Sequence, residues 1–153
     1  MYEVVTMREW IEQNRGQFST LLNATQALGT CLRLKVGALI LMERDGHMEI
    51  VGSGCNTALP GQATCEEEEK CLTNKQRRCV RTVHAEHNAI VDAIKRTGGN
   101  IEGGTLLCTH EPCENCVKLI ESFGIAHVLY VNSYDNKLAK QLRSRATYTK
   151  IEL

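Results

Sequence analysis

The sequence predicts an α/β fold: a single α/β/α sandwich domain over residues 1–153, with one mixed five-stranded sheet and helices on both faces. Three observations carry this. Val36–Met42, Thr105–Thr109 and His127–Val131 are short, near-continuous apolar runs, the pattern of strands covered on both sides. Segments with apolar residues at helical spacing alternate with them. No repeat or linker divides the 153 residues, and with 42% apolar content they can bury a core without disulfide staples.

Taken in order, Thr6 can cap an opening helix that runs to about Gly29, with Trp10, Ile11, Phe18, Leu21, Leu22 and Leu28 on its inner side. Val36–Met42 is the first strand. Arg44–His47 is a turn, and Met48–Ser53 returns as its partner. Residues 54–82 have little periodicity and are rich in Cys, Glu and Arg. A helix then begins near Val83, carried by Ala89, Ile90, Ala93 and Ile94, and gives way to Gly98 and Gly99. The strand Thr105–Thr109 leads to Pro112, which pre-sets the first turn of another helix. That helix continues through Val117, Leu119, Ile120 and Phe123 and stops at Gly124. After the strand His127–Val131, Asp135 can start a last helix to about Arg145, and Thr147–Ile151 reads as an edge strand.

Composition narrows the function classes. The formal net charge is zero, which argues against a polynucleotide as main substrate, because phosphate backbones call for a basic face. There is no apolar run of about 18 residues, so no membrane partner is expected. Met1–Thr20 carries Glu3, Arg8, Glu9 and Glu12, which does not fit a secretory leader. A cytoplasmic location is therefore expected, and there the eight cysteines read as metal ligands or free thiols.

Two short motifs concentrate the chemistry: His84-Ala85-Glu86, and Cys113-Glu114-Asn115-Cys116 with Pro112 directly before it. They offer one imidazole, two thiols and one carboxylate that is a poor fourth ligand. A structural zinc closes its tetrahedron with four protein donors, whereas a catalytic zinc takes three and leaves a position for water, whose pKa falls to roughly 7. Neutral His84 with thiolates Cys113 and Cys116 would balance Zn²⁺, and Glu86 would act as base and then acid. Residues two apart diverge on a regular helix. His84 and Glu86 therefore share a site only at a helix start. The bland alternative is an ordinary polar His84 with a redox CxxC, or half of a zinc knuckle. The combined H-x-E…P-C-x-x-C arrangement resembles the signature of zinc-dependent nucleobase deaminases.

With their flanks, these motifs resemble the deoxycytidylate (dCMP) deaminases of the zinc-dependent cytidine/deoxycytidylate deaminase superfamily. The likeness runs from about Cys31 to Tyr134. It rests on Cys31-Leu32-Arg33-Leu34-Lys35-Val36-Gly37-Ala38, Gly54-Cys55-Asn56-Thr57-Ala58-Leu59-Pro60-Gly61, Cys79–Ile90 and Pro112–Cys116. Cys55 departs from it, since the family usually has Tyr there. The resemblance implies a cytidine-deaminase-like sheet, conversion of dCMP to dUMP, a homo-hexamer, activation by dCTP with Mg²⁺ and inhibition by dTTP. Of the site residues, it implies a sugar-hydroxyl contact for Asn56 and a base contact for Tyr134, with Ala85 lining the substrate site. Asn56 could instead make an Asx-turn, and Tyr134 could pack in the core.

Cys31, Cys65, Cys71 and Cys79 remain as a second set, and Cys108 lies in an apolar strand and reads as core. Four thiols around an irregular polar loop fit a structural zinc, which family members also carry in this region. The alternative is four ordinary reduced cysteines. Glu66–Glu69 reads as a solvated face. Arg33, Lys35, Lys75, Arg77, Arg78 and Arg81 are all candidates for a nucleotide phosphate, and the sequence does not separate them. Two other functions compete: deamination of another base, nucleoside or nucleic acid, and a non-catalytic zinc-stabilised nucleotide-binding subunit. The presence of Glu86 speaks against the second.

Overall fold

The computed structural model describes residues 5–153; Glu3 and the first four positions of the expected domain lie outside them. Thr6 caps α1 (Met7–Gln13) through a capping box in which its hydroxyl accepts from the Glu9 N–H and the Glu9 carboxylate accepts from the Thr6 N–H. The single opening helix expected from the sequence is two. The chain breaks at Asn14, whose side-chain amide donates to the Trp10 carbonyl at 2.9 Å, and restarts as α2 (Arg15–Ala27). The break lets Trp10 meet Phe18 edge-to-face, with ring centroids 5.1 Å apart, while Ile11 and Phe18 bury into the same core.

β1 (Gly37–Arg44) turns through Asp45-Gly46, both at positive φ, into β2 (His47–Cys55). The loop that follows holds a two-residue strand β3 (Thr57–Ala58), a short helix α3 (Cys65–Glu68) and a strand β4 (Thr82–Val83) paired with β3. Next come α4 (Ala85–Thr97), β5 (Thr105–His110), α5 (Glu114–Ser122) and β6 (His127–Asn132). The chain ends with α6 (Lys137–Leu142) and β7 (Thr147–Lys150). The last helix is shorter than the sequence indicates. Asn136, not Asp135, caps it, and Arg143 leaves it in an extended conformation that carries its guanidinium to Glu111.

The main sheet is mixed, in the order β2-β1-β5-β6-β7. β1 is antiparallel to both β2 and β5, while β5, β6 and β7 run parallel. Strand side chains alternate between faces, and both faces are apolar. Ala38, Ile40, Leu106, Cys108 and Val128 face α4 and α5, whereas Leu39, Leu41, Leu107 and Leu129 face α1 and α2. This is the predicted sandwich, with β7 at the edge and Cys108 in the core.

Packing of α4 fixes the position of everything that follows. Its buried stripe, Ala85, Ala89 and Ala93, lies against Gly52 and Gly54 of β2. A Cβ at Gly54 would sit 2.4 Å from the Ala89 nitrogen and 2.5 Å from the Ala85 carbonyl oxygen. Glycine is required there by close approach of two backbones. Asn88 adds a tie, donating its amide to the Cys55 carbonyl at 2.9 Å.

Candidate metal and catalytic site

The N-terminus of α4 and the C-terminal end of β5 meet at one place, the edge where α/β sheets bind ligands. His84 is the N-cap residue of α4, and Glu86 falls in its first turn. Extended backbone at His84 (φ −63°, ψ 150°) turns the imidazole back beside Glu86, as the two-residue spacing requires. Cys113 caps α5, so Pro112 stands just outside the helix and not in its first turn as expected. Cys116 is buried in the first turn of α5.

His84 Nδ1 lies 3.4 Å from Cys113 Sγ and 3.3 Å from Cys116 Sγ. Zinc bonds of roughly 2.0 Å to nitrogen and 2.3 Å to sulfur, set at tetrahedral angles, place such donors about 3.5 Å apart. The donor set therefore fits Zn²⁺ with three protein ligands. Glu86 Oε2 is 3.5 Å from Cys116 Sγ, beside the donors, and the residue is only 4% exposed.

The electrostatics suit such a site. The Cys113 thiol is held down to about 4, first by the Cys116 thiol and then by His84 and the Cys116 backbone N–H. Cys116 is pushed up as the partner of Cys113 and by burial, so the pair carries one thiolate before any metal arrives. The hydrogen bond to Cys113 raises His84. Burial pushes the Glu86 carboxyl above the ordinary carboxylate range, against the pull of its own backbone N–H and of His84.

Above these groups opens a cavity of about 530 Å³, the size of a small-ligand pocket. Asn56, Ala85 and Tyr134 all line it, as does Glu86. The Asn56 amide is already engaged by backbone: it accepts from the Val36 N–H at 2.8 Å and donates to the Leu34 carbonyl at 2.6 Å. One N–H and one lone pair remain. Tyr134 is 42% exposed, so it is no core residue. Its backbone N–H donates to the carboxylate of Glu111.

Glu111 is a part of the site that the sequence reading missed. It is buried, takes a hydrogen bond from Arg143 Nη2 at 2.5 Å, and joins the cavity wall to the segment after α6. A carboxylate directly before Pro112-Cys113 was the available signal; its partner, 32 positions away, had none.

The second cysteine set also gathers. Cys31, Cys71 and Cys79 have their sulfurs within 4.8 Å of one another. Cys31 and Cys71 are 3.8 Å apart, and Cys65 lies 3.6 Å from Cys79. Sulfurs on a tetrahedral zinc sit about 3.8 Å apart, from zinc–sulfur bonds of about 2.3 Å. Against burial, hydrogen bonds from Thr82, Arg81 and Cys65 hold the Cys79 thiol down to about 6. The acidic run Glu66–Glu69 is exposed, as expected, and Glu66 pairs with Lys35 at 3.0 Å.

Three metal donors, a buried carboxylate at their side and an open cavity above are the parts of a metal-dependent hydrolytic site. Comparison with known proteins gives the same direction. Residues 12–132 match the cytidine and deoxycytidylate deaminase zinc-binding region, and the chain belongs to that family. It is 36% identical over 121 residues to ComE operon protein 2 of Bacillus subtilis, covering 78% of this chain but only 60% of that relative's length. It is 32% identical over 123 residues to the deoxycytidylate deaminase of Mycobacterium phage D29, covering 74% of this chain and 90% of the other. Among solved structures, dCMP deaminase from the cyanophage S-TIM5 in complex with dCMP and dUMP superposes with a TM-score of 0.70 at 26% identity, over 91% and 97% of the two chains.

Proposed function

We propose that this protein hydrolyses dCMP to dUMP and ammonia, supplying dUMP for thymidylate synthesis. The observation that carries the reading is the Glu86 carboxylate, buried against the His84/Cys113/Cys116 donor set on the floor of the cavity. His84, Cys113 and Cys116 would hold a zinc ion, and that ion would supply an acidified water at neutral pH. Glu86 takes a proton from water and delivers it to N3 of the cytosine ring as the water oxygen bonds to C4; it then carries the remaining proton of that oxygen to the amine, which leaves as ammonia as the C4–N bond breaks. A carboxyl raised by burial is matched to both directions of that transfer. Ala85, buried at the first position of α4, forms the wall beside the reacting ring. Asn56 offers its remaining donor and acceptor to the sugar 3′-hydroxyl, and Tyr134 flanks the base.

Other parts of the reading rest on family resemblance. These are a cytoplasmic homo-hexamer, activation by dCTP with Mg²⁺ and inhibition by dTTP. A structural zinc on Cys31, Cys65, Cys71 and Cys79 is supported in addition by the sulfur spacing.

Ammonia release from a panel of dCMP, CMP, deoxycytidine, adenosine and single-stranded DNA tests the substrate. Turnover of dCMP well above the rest is expected. Turnover of an oligonucleotide with none of mononucleotides would reverse the assignment.

A further inference from the structure

The charges at the rim of the cavity do not balance. Arg33, Arg77 and Arg78 line it. Arg78 is neutralised by Glu114 at 3.0 Å, and the Glu111 carboxylate in the wall is neutralised by Arg143. Arg33 donates to the backbone carbonyl of Arg77 and not to an acid. Among the described residues, neither Arg33 nor Arg77 has a carboxylate within ion-pair distance. Two guanidinium charges are thus left free at the mouth of a site whose floor carries the chemistry. A phosphate monoester brings about −1.5 to −2 charges at pH 7 and three acceptor oxygens. The fork of a guanidinium fits those oxygens.

The segment bearing Arg77 is built to hold it still. Thr73 bridges Cys79, and the Asn74 N–H donates to the Arg78 carbonyl at 3.0 Å. The Asn74 side chain accepts from the N–H groups of Gln76 and Arg78, at 3.1 and 3.0 Å. Arg77 itself sits at φ 62°, a left-handed conformation that a long side chain seldom adopts. Backbone strain of this kind is retained where it aims a functional group. Both ends of the turn run into the thiol cluster through Cys71 and Cys79.

We infer that the turn Asn74–Arg78 is the phosphate subsite of this cavity, with Arg77 as the contact for the 5′-monophosphate and Arg33 supporting it; this rests on the cavity being a nucleotide deaminase site. It separates the basic residues that the sequence left equivalent. Lys35 is committed to Glu66 and Arg78 to Glu114, and Lys75 and Arg81 lie off the cavity wall. The turn then selects nucleotides over nucleosides, while the floor selects the base.

The test is calorimetric binding of dUMP and of deoxyuridine, which are not turned over, to the zinc-replete protein and to Arg77→Asn. Asn tolerates the left-handed conformation, so the turn keeps its shape. The variant is expected to bind dUMP about tenfold more weakly, or worse, with deoxyuridine unchanged. Lys75→Gln is expected to change neither. Equal dUMP affinity in Arg77→Asn and the parent overturns the subsite. So does an equal loss on both ligands, and so does a parent protein that binds neither. Should Arg77→Asn fail to fold, Arg77→Lys keeps the charge without the fork: a loss of about threefold on dUMP alone supports the subsite, and no loss overturns it. Ammonia release from dCMP is measured in parallel. A selective loss of dUMP binding without any deamination would sink the reaction and leave the subsite standing. Deamination with no change in Arg77→Asn would do the reverse.

Discussion

Asn56 shows how one side chain serves both fold and site. Its amide holds the segment between α2 and β1 by two backbone hydrogen bonds, and it lines the cavity with what is left. Asn56→Asp replaces the donor to the Leu34 carbonyl with an oxygen that repels it. We expect a loss of about 1–3 kcal/mol in stability by urea denaturation, with weaker turnover of dCMP. An unchanged unfolding midpoint would show that Asn56 does not hold this segment. The position of Asn56 at the cavity was legible only through the resemblance of its Gly-x-Asn segment to the family motif. Its clamp on residues 34–36 was not, because backbone partners leave no trace in sequence. Arg143 was illegible for a related reason. It is an ordinary charged residue until the end of α6 brings it to Glu111.

At the scale of elements, the contact of α4 with β2 positions His84 and Glu86. Gly54→Ala would drive a methyl into the Ala85 and Ala89 backbone. We expect a loss of about 2–3 kcal/mol and a fall in activity as α4 is displaced, read by denaturation and ammonia release. Full stability in that variant would contradict the tight approach. Glu121 is the second anchor. Its carboxylate on α5 accepts from the N–H groups of Ser144, Arg145 and Ala146 and from the Tyr148 hydroxyl, and so pins β7 to the helix. Burial raises its pKa, yet these bonds outweigh burial and hold the group below its ordinary 4.5. A carboxylate lower in the folded than in the unfolded state stabilises above the unfolded value, and that stability is lost as pH falls through the folded one. Acid destabilisation is therefore expected below about pH 4.5, from that ordinary value. Glu121→Gln should flatten that limb and cost roughly 1–2 kcal/mol at pH 7. An unaltered acid limb would mean that Glu121 does not anchor β7. The strands were legible at this scale because their apolar runs are covered on both faces. The break at Asn14 was not, as no proline marks it and the apolar spacing continues from Ile11 to Phe18 on either side.

The molecule as a whole joins a sandwich that places Glu86 and the three-donor set at the cavity floor to a cysteine-rich loop that roofs it. Cys31 and Cys79 belong to both the thiol cluster and the cavity wall, which links the stability of the loop to the shape of the pocket. If the four thiols bind metal, purified protein carries two zinc ions per chain, and Cys71→Ser carries one and melts at lower temperature. A ratio of one in the parent protein would remove the second ion. The sandwich could be read from periodicity, and the gathering of His84, Glu86, Cys113 and Cys116 from two short motifs. The four thiols of the roof could also be singled out, but not the path of the loop between them, because turns have no period to read. In the function proposed, one buried carboxylate beside a three-donor set moves the protons of a hydrolytic deamination. Glu86→Ala is the decisive variant, with zinc content measured beside ammonia release from dCMP. Zinc at the parent level and a rate lower by several orders of magnitude are expected; turnover equal to the parent's would contradict the role of Glu86.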